Sequence, residues 1–189
     1  MATTDQNIGS TISEKILAAH AGVEKVKAGD VVVCKVDFAM VTDTRAGNAL
    51  KVMKKLSSPT LKFASNTAMV LDHYSPPPHE EAAQTHQLMR NFSQQAGTHL
   101  YDIGDGICHQ VLPEGGHLTS GNLIVGTDTH STTYGAFNAF GTGIEGSDVV
   151  GVMSSGKIWL RAPQTVKVHL DGKLQPGVWA KDITLHMLG

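Results

Sequence analysis

The chain has 189 residues, 41% of them hydrophobic, and a formal net charge of −2 at pH 7. This length and apolar content are sufficient for one core of ordinary size with a small appendage. The charge excludes a basic surface for nucleic acid, and no apolar run approaches the roughly 20 residues of a membrane span. Met1 to Gln6 lack the pattern of a signal peptide, and two widely separated cysteines, Cys34 and Cys108, fit a reducing compartment. We therefore expect a cytoplasmic protein that binds neither nucleic acid nor membranes.

The predicted elements alternate between helices and strands. In chain order, apolar periodicity and turn residues predict a helix over 11–19, a strand over 31–36, a helix over 46–56, a strand over 67–71, a helix over 79–95, strands over 100–102 and 122–125, a helix over 147–160, a strand over 165–170 and a helix over 180–188. This alternation predicts a three-layer α/β/α architecture with a mainly parallel sheet. Ala162-Pro163 marks a boundary, so we expect one α/β domain over 1–162 and the start of a second, truncated domain over 163–189.

The most informative segment is Gly126-Thr127-Asp128-Thr129-His130-Ser131-Thr132, which follows the strand predicted at 122–125. In open α/β sheets, the loops at the carboxyl ends of the strands bind ligands. Asp128 and His130 are two titratable groups in such a loop. Taken alone, the segment is equally typical of a solvated loop whose aspartate caps the next helix.

Two more histidines stand in similar places. Asp72-His73 follows the strand predicted at 67–71, and His109 lies in a short apolar segment that Pro113 closes, which we interpret as another strand end. A carboxylate beside an imidazole orients the ring, fixes its tautomer and raises its basicity, as a general acid or a metal site requires. The pattern therefore predicts that His73, His109 and His130 converge on one site.

Other features have a structural interpretation. The segment 141–146 matches G-x-G-x-x-G, but no strand is predicted immediately before it, so tight packing is favoured over nucleotide binding. Cys34 lies in a valine run typical of a core, and Cys108 has no second cysteine nearby. His79 and His86 lack the i, i+4 spacing of a helical metal pair. For His86, as for the other unpatterned histidines, we expect a surface or hydrogen-bonded core position.

Three segments together carry a resemblance to a known family. Leu71-Asp72-His73, the run 106–114 and Gly126-Thr127-Asp128-Thr129-His130, in this order and spacing, resemble the aconitase family of hydro-lyases. Within it, the likeness is greatest to large subunits of the 3-isopropylmalate dehydratase and homoaconitase type. The resemblance extends from about Ser13 to the last residue and implies an aconitase-like first domain.

The resemblance also implies roles for individual residues. Five residues match catalytic positions: Asp72, His73, His109, Asp128 and His130. His73 matches the imidazole that protonates the departing hydroxyl, with Asp72 holding it charged, and His109 and His130 match histidines that contact this hydroxyl, with Asp128 orienting them. Four residues match or adjoin substrate-contacting positions: Thr42, Asp43, Arg45 and Thr129. Thr129 replaces the usual serine, and Arg45 replaces a small residue and brings a positive charge toward a substrate carboxylate.

The family's chemistry implies components that this chain lacks. Its members remove and re-add water on a hydroxy-di- or tricarboxylate, with a [4Fe-4S] cluster whose open iron acts as a Lewis acid. The three cluster cysteines lie beyond the matched region, so we expect no cluster or metal ligand on this chain, which would be the inactive N-terminal part of the enzyme. Three arginines are few for binding two or three carboxylates, which places further arginines elsewhere. In two-subunit relatives, a small subunit supplies the base and the substrate-selecting loop.

Several functional hypotheses therefore remain at this point. The first is a hydro-lyase acting on 3-isopropylmalate, with homoaconitase or a dimethylmalate- or citramalate-type dehydratase as an alternative. A second is a stand-alone zinc hydrolase in which His73, His109, His130 and an aspartate bind the metal. A third is a non-catalytic remnant that serves as a folded or partner-binding module.

Overall fold

The computed structural model describes residues 9–56 and 61–189. Its helices are α1 (Ile12–Ala21), α2 (Asp43–Lys55), α3 (Glu80–Ala96), α4 (Cys108–Glu114), α5 (Gly146–Ser155) and α6 (Ala180–Leu188). Its strands are β1 (Val31–Lys35), β2 (Phe38–Thr42), β3 (Thr67–Val70), β4 (His99–Tyr101), β5 (Leu123–Gly126), β6 (Phe140–Gly143) and β7 (Lys157–Arg161). Two 3₁₀ segments, Ala64–Asn66 and Thr129–Phe137, precede β3 and β6.

A five-stranded parallel sheet in the order β4-β3-β2-β5-β6 forms the centre of the fold. Every residue of β2, β3 and β5 is buried. Such strands are covered on both faces, which explains why their sequences are nearly continuous apolar runs rather than alternating ones. Strands β1 and β7 form a separate antiparallel pair.

Two apolar clusters cover opposite faces of this sheet. Val41, Met69 and Val125 pack in one cluster with residues of α1, α2, α3 and α5. Met40 and Ile124, their neighbours along the strands, pack in the other with α4 and the 3₁₀ segment Thr129–Phe137. Because successive side chains of a strand point to opposite faces, these clusters are the two helical layers on one sheet. The predicted α/β class and mainly parallel sheet are confirmed.

The structure corrects several sequence-based predictions. The segment around His109 is helix α4 rather than a strand end, because an apolar run this short fits either structure. The helix predicted over 147–160 ends at Ser155, where Gly156 adopts a left-handed conformation (φ 69°) and the chain turns into β7. No strand is present over 165–170, whose residues are all exposed. Strands β2 and β6 were not predicted. Residues 57–60, which follow the helix predicted over 46–56, lie outside the described residues.

The segment after Ala162 contrasts with the rest of the described chain. Ala162 is 2% exposed and belongs to the first apolar cluster. None of residues 163–189 is buried, and helix α6 has no buried residue. The boundary between two domains at this point stays a prediction. Within the described ranges, no helix has the length and apolar character needed to cross a membrane.

Candidate active site

The candidate site lies at the carboxyl ends of the parallel strands. The end of β2 is tied to the end of β5, because the backbone N–H of Thr42 donates a hydrogen bond to Oγ1 of Thr127 at 2.9 Å. Both threonine side chains are buried. The chain leaves β3 at Leu71 and enters Asp72-His73, and it leaves β5 at Gly126 and enters Thr127-Asp128. Strands β3 and β5 both pair with β2 in the parallel sheet, so their loops leave the same edge of the sheet on either side of β2.

Three histidine rings surround the Asp128 carboxylate. His109 Nε2 lies 2.8 Å from Oδ1 of Asp128, and His73 Nε2 lies 3.2 Å from its Oδ2. His130 Nδ1 lies 3.4 Å from Oδ1, and its backbone N–H donates to the same oxygen at 2.7 Å. The predicted convergence of the three histidines is therefore present in the structure, whereas their catalytic roles stay predictions.

Asp72 and α4 hold the ring of His73. His73 Nδ1–H donates to Oδ1 of Asp72 at 2.8 Å, and the backbone N–H of Cys108, the first residue of α4, donates to Oδ2 of Asp72 at 2.7 Å. The His73 side chain remains 34% exposed. Burial disfavours the charged ring, but hydrogen bonds to Asp72 and Asp128 and the charges of Asp72 and Asp43 outweigh it, so the pKa of His73 is raised. Both ring nitrogens face carboxylates, which favours the imidazolium form.

His109 contacts a different oxygen of Asp128, Oδ1, from the one that His73 contacts. Its ring packs edge-on against the fully buried Tyr134, with ring centroids 5.7 Å apart. Because the Asp128 carboxylate accepts at Nε2, that nitrogen carries the hydrogen, and Nδ1 is buried without a hydrogen-bond partner among the described residues. Burial raises the pKa of Asp128, but the His130 amide and hydrogen bonds from His109 and His73 outweigh it, so the net pKa is lowered. Asp128 is therefore held as a carboxylate.

The predicted substrate-contacting residues fall into two groups. Arg45 and Thr129 are exposed and line a cavity of about 850 Å³ next to His73. Thr42 and Asp43 are 0% and 2% exposed and do not line it. The structure therefore does not bring Thr42 and Asp43 to the cavity surface, because the first side chain bonds Thr127 across the sheet and the second bonds the loop that carries His73.

The cavity has lining residues that sequence patterns did not single out. Among them are Tyr74, Glu145, Asp148 and Arg161. Arg161 ends β7, which is far from the other loops in sequence, so no local signal connected it to the site. Of the chain's three arginines, Arg90 is bound by Asp102 through two hydrogen bonds, whereas Arg45 and Arg161 line the cavity and form no ion pair within the described part of the chain.

Glycines let the Asp128 loop pack closely against β6. A Cβ on Gly141 would collide with the carbonyl oxygen of Ser131, and one on Gly143 would lie 2.8 Å from the carbonyl oxygen of Asp128. The first two glycines of the G-x-G-x-x-G match are thus inside β6, and the third begins α5. This arrangement differs from the expected absence of a strand and supports the packing interpretation of the motif.

Two sets of side chains have the composition of a metal site. The ligand atoms of His109, Asp128 and His130 lie within 4.8 Å of one another, and so do those of Asp43, Asp72 and His73. An Fe-S cluster is a different case because it needs a set of cysteine thiolates.

The cysteines of this chain do not fit such a cluster. The chain has only two, Cys34 and Cys108, and they lie in opposite apolar clusters at 0% and 1% exposure. Burial, with the hydrogen bond and charge of Asp72, also raises the pKa of the Cys108 thiol, which opposes formation of a thiolate ligand.

Comparison with known proteins decides the family. Residues 14–189 match the family model described as "Aconitase family (aconitate hydratase)". The chain belongs to the aconitase family. It is 41% identical over 183 residues to "3-isopropylmalate dehydratase large subunit 1" of Methanopyrus kandleri, covering 96% of this chain and 44% of the relative. It is 41% identical over 181 residues to "Homoaconitase large subunit" of Thermus thermophilus, covering 96% of this chain and 43% of the relative.

A further relative supports the same placement. The chain is 38% identical over 183 residues to "3-isopropylmalate dehydratase large subunit" of Aquifex aeolicus, covering 96% of this chain and 42% of the relative. The chain thus spans less than half the length of these curated relatives. The resemblance to the aconitase family inferred from the motifs is confirmed.

Proposed function

We propose that this aconitase-family chain contributes the proton-donating half of a hydro-lyase site that acts on a hydroxy-dicarboxylate, most specifically 3-isopropylmalate. The observation that carries the proposal is the convergence of His73, His109 and His130 on Asp128, with Asp72 holding the other nitrogen of His73. Relatives named 3-isopropylmalate dehydratase support the substrate. The homoaconitase relative supports a longer hydroxy-polycarboxylate as the alternative.

The proposed reaction breaks two bonds on neighbouring carbons. The C–O bond breaks and the hydroxyl takes the Nε2 proton of His73, so that it leaves as water. The C–H bond breaks and its proton passes to a base, while the electron pair forms the C=C bond. We assign none of the described residues as this base and propose that it lies on a small subunit, since the relatives are named as large subunits.

In this scheme the other residues hold the histidine rings in place or bind the substrate. Asp72 keeps the His73 ring in place and charged, and Asp128 aligns the three rings toward one point. Arg45 and Thr129 at the cavity wall are proposed to bind a substrate carboxylate, because a guanidinium forms paired hydrogen bonds with a carboxylate. Thr42 and Asp43 are proposed to support the site from behind rather than to touch substrate.

Enzymes of the aconitase family are generally iron-sulfur proteins. The two buried cysteines of this chain do not form a cluster ligand set, so a cluster in the assembled enzyme requires cysteines that this sequence does not contain. Reconstitution of the 189-residue chain alone should give none of the broad absorption near about 400 nm that such clusters have. A cysteine-dependent cluster on this chain would contradict the proposal.

The decisive test is an activity assay of the enzyme assembled from this chain, the cluster-bearing sequence and a small subunit. Dehydration of 3-isopropylmalate, homocitrate, dimethylmalate and citramalate is compared by the ultraviolet absorbance of the new double bond. We expect the highest kcat/KM with 3-isopropylmalate. Higher kcat/KM with another acid would reassign the substrate, zinc-dependent hydrolysis would favour the metal-hydrolase alternative, and no turnover would favour a non-catalytic module.

A single variant tests the carboxylate-binding role of Arg45 in the same assay. Arg45→Ala should raise KM by roughly 10- to 100-fold and change kcat much less, because the lost ion pair is present in both the bound substrate and the transition state. Arg45→Lys should recover only part of the affinity, since an ammonium lacks the planar paired donors. Lys51→Ala on the exposed side of α2 is the control for a lost surface charge.

A further inference from the structure

The carboxylate of Asp43 is a buried junction behind the candidate site. Asp43 begins α2 at the end of β2, and its side chain is 0% exposed. Its Oδ2 accepts the backbone N–H of Tyr74 at 2.9 Å, and its Oδ1 accepts the backbone N–H of His73 at 3.3 Å. This one carboxylate therefore fixes the backbone of the loop that carries the Asp72-His73 pair.

A third donor to Asp43 comes from helix α3. His86 is 0% exposed, and its Nε2 lies 2.9 Å from Oδ2 of Asp43. Because a carboxylate only accepts, Nε2 carries the hydrogen of this contact. The other ring nitrogen, Nδ1, is buried without a partner among the described residues, so the ring's one polar contact in this part of the chain is with Asp43.

We propose that His86 is a positioning residue for His73, acting through Asp43. The inference rests on the proposed function, since it concerns the residue assigned as proton donor. A buried carboxylate needs donors to remain in place, and among the described residues the two amides of the loop would otherwise be its only hydrogen-bond donors. The hydrogen bond from His86 holds the Asp43 side chain between α2, α3 and the His73 loop. Asp43 in turn restrains the backbone of His73, whereas Asp72 restrains its ring.

A change in the position of Asp43 would alter the surroundings of His73. Asp43 Oδ1 is 3.8 Å from Nδ1 of His73, so a rotated Asp43 would change both the loop backbone and the charge next to the ring. A displacement of about 1 Å of a reacting group can reduce turnover by about 100-fold even when its cause is remote. His86 would thus affect the chemical step although α3 does not line the cavity.

Amide hydrogen exchange of the 189-residue chain tests the positioning directly. Two amide variants form a matched pair: His86→Gln places its amide nitrogen near the position of Nε2, whereas His86→Asn is too short to reach Asp43. We expect the Tyr74 amide to exchange at least about 10-fold faster in His86→Asn and within about threefold of the wild type in His86→Gln. His86→Leu, which removes the donor at similar volume, should match His86→Asn.

A control separates loss of the donor from general weakening of α3. Ser93 lies on the same helix and bonds Thr98 and the backbone at the opposite end from Asp43, so Ser93→Ala should leave Tyr74 protection unchanged. Equal Tyr74 exchange in His86→Asn and His86→Gln, or an equal change in Ser93→Ala, would overturn the proposal.

Kinetics of the assembled enzyme provide the second readout. His86→Asn should lower kcat by roughly 10- to 100-fold with KM within about threefold, and His86→Gln should restore most of kcat. A fall in kcat that His86→Gln does not rescue would overturn the proposal. If the wild-type assembly turns over none of the tested acids, the proposed function fails, while the exchange experiment still decides whether His86 positions the His73 loop.

Discussion

Asp128 and His109 lie 19 positions apart in sequence, yet Oδ1 of one and Nε2 of the other are 2.8 Å apart. Asp128 comes from the loop after β5 and His109 from the first turn of α4, so the contact joins the sheet to the helical layer that contains Tyr134. It also places the Nε2 hydrogen of His109 on the carboxylate, while the buried Nδ1 has no hydrogen-bond partner among the described residues. This contact makes Asp128 the centre of the site rather than only the cap of the 3₁₀ segment.

His73 should be the side chain whose loss most affects turnover. In the assembled enzyme, His73→Ala is expected to lower kcat by about 10² to 10⁴-fold and KM much less, because protonation of the leaving hydroxyl matters mainly in the transition state. Asp72→Asn should share much of this loss, since Asp72 Oδ1 holds Nδ1 of the ring. Steady-state kinetics decide the matter, and rates near the wild type in both variants would make the pair structural.

The pH profile should report the raised pKa of His73. Its ordinary value is 6.5, and burial is outweighed by the hydrogen bonds and charges of the three neighbouring aspartates. A proton donor is active below its pKa, so kcat/KM should fall as pH rises through a midpoint above 6.5. The stability of the fold should also fall as pH rises. The ion pairs of the charged His73 ring stabilise the fold at low pH and are lost as pH rises through the raised pKa. An unchanged profile in Asp72→Asn, where the midpoint should move down, would contradict this account.

Close packing at β6 should make Gly143 sensitive to a single methyl group. Gly143→Ala places a Cβ 2.8 Å from the carbonyl oxygen of Asp128, so the site loop must shift. We expect the free energy of unfolding to fall by about 1–3 kcal/mol. Gly151→Ala is the matched control in α5, because a Cβ there meets nothing within 4 Å and should stabilise the helix by about 0.8–1 kcal/mol. Urea denaturation measures both, and equal effects of the two substitutions would show that packing at β6 is loose.

The segment after Ala162 should exchange its amide hydrogens faster than the sheet. All four residues of β5 are buried, whereas none of residues 163–189 is, and Trp179 and Leu188 are 74% and 81% exposed. Helices with so little buried surface open locally at low free energy. Hydrogen exchange with mass spectrometry compares α6 with β5 in the monomeric chain. Equal protection in the two elements would contradict the division into two domains at this boundary.

Several parts of the fold and site were predictable from local sequence. Runs such as 67–71 and 122–125 are apolar enough to be strands of a covered sheet, and the loops after them place Asp72-His73 and Asp128 at one sheet edge. The capping box of Thr11 and Glu14 also predicted the start of α1. These signals are local, because backbone propensity and burial on both faces act within a few residues.

Tertiary structure decided what local patterns left open. The run at 107–112 lies in and before helix α4, where the backbone N–H of Cys108 donates to Asp72 and the apolar residues pack on the sheet. Strand β6 formed from a glycine-rich segment that pairs with β5. His86 had no patterned partner in sequence, yet it bonds Asp43 from 43 positions away. Sequence determined which residues are candidates for the chemistry and which strands end beside them. Only the tertiary structure decided which buried groups hold these residues in place. Contacts such as the one between His86 and Asp43 join distant segments and depend on the space left between packed layers.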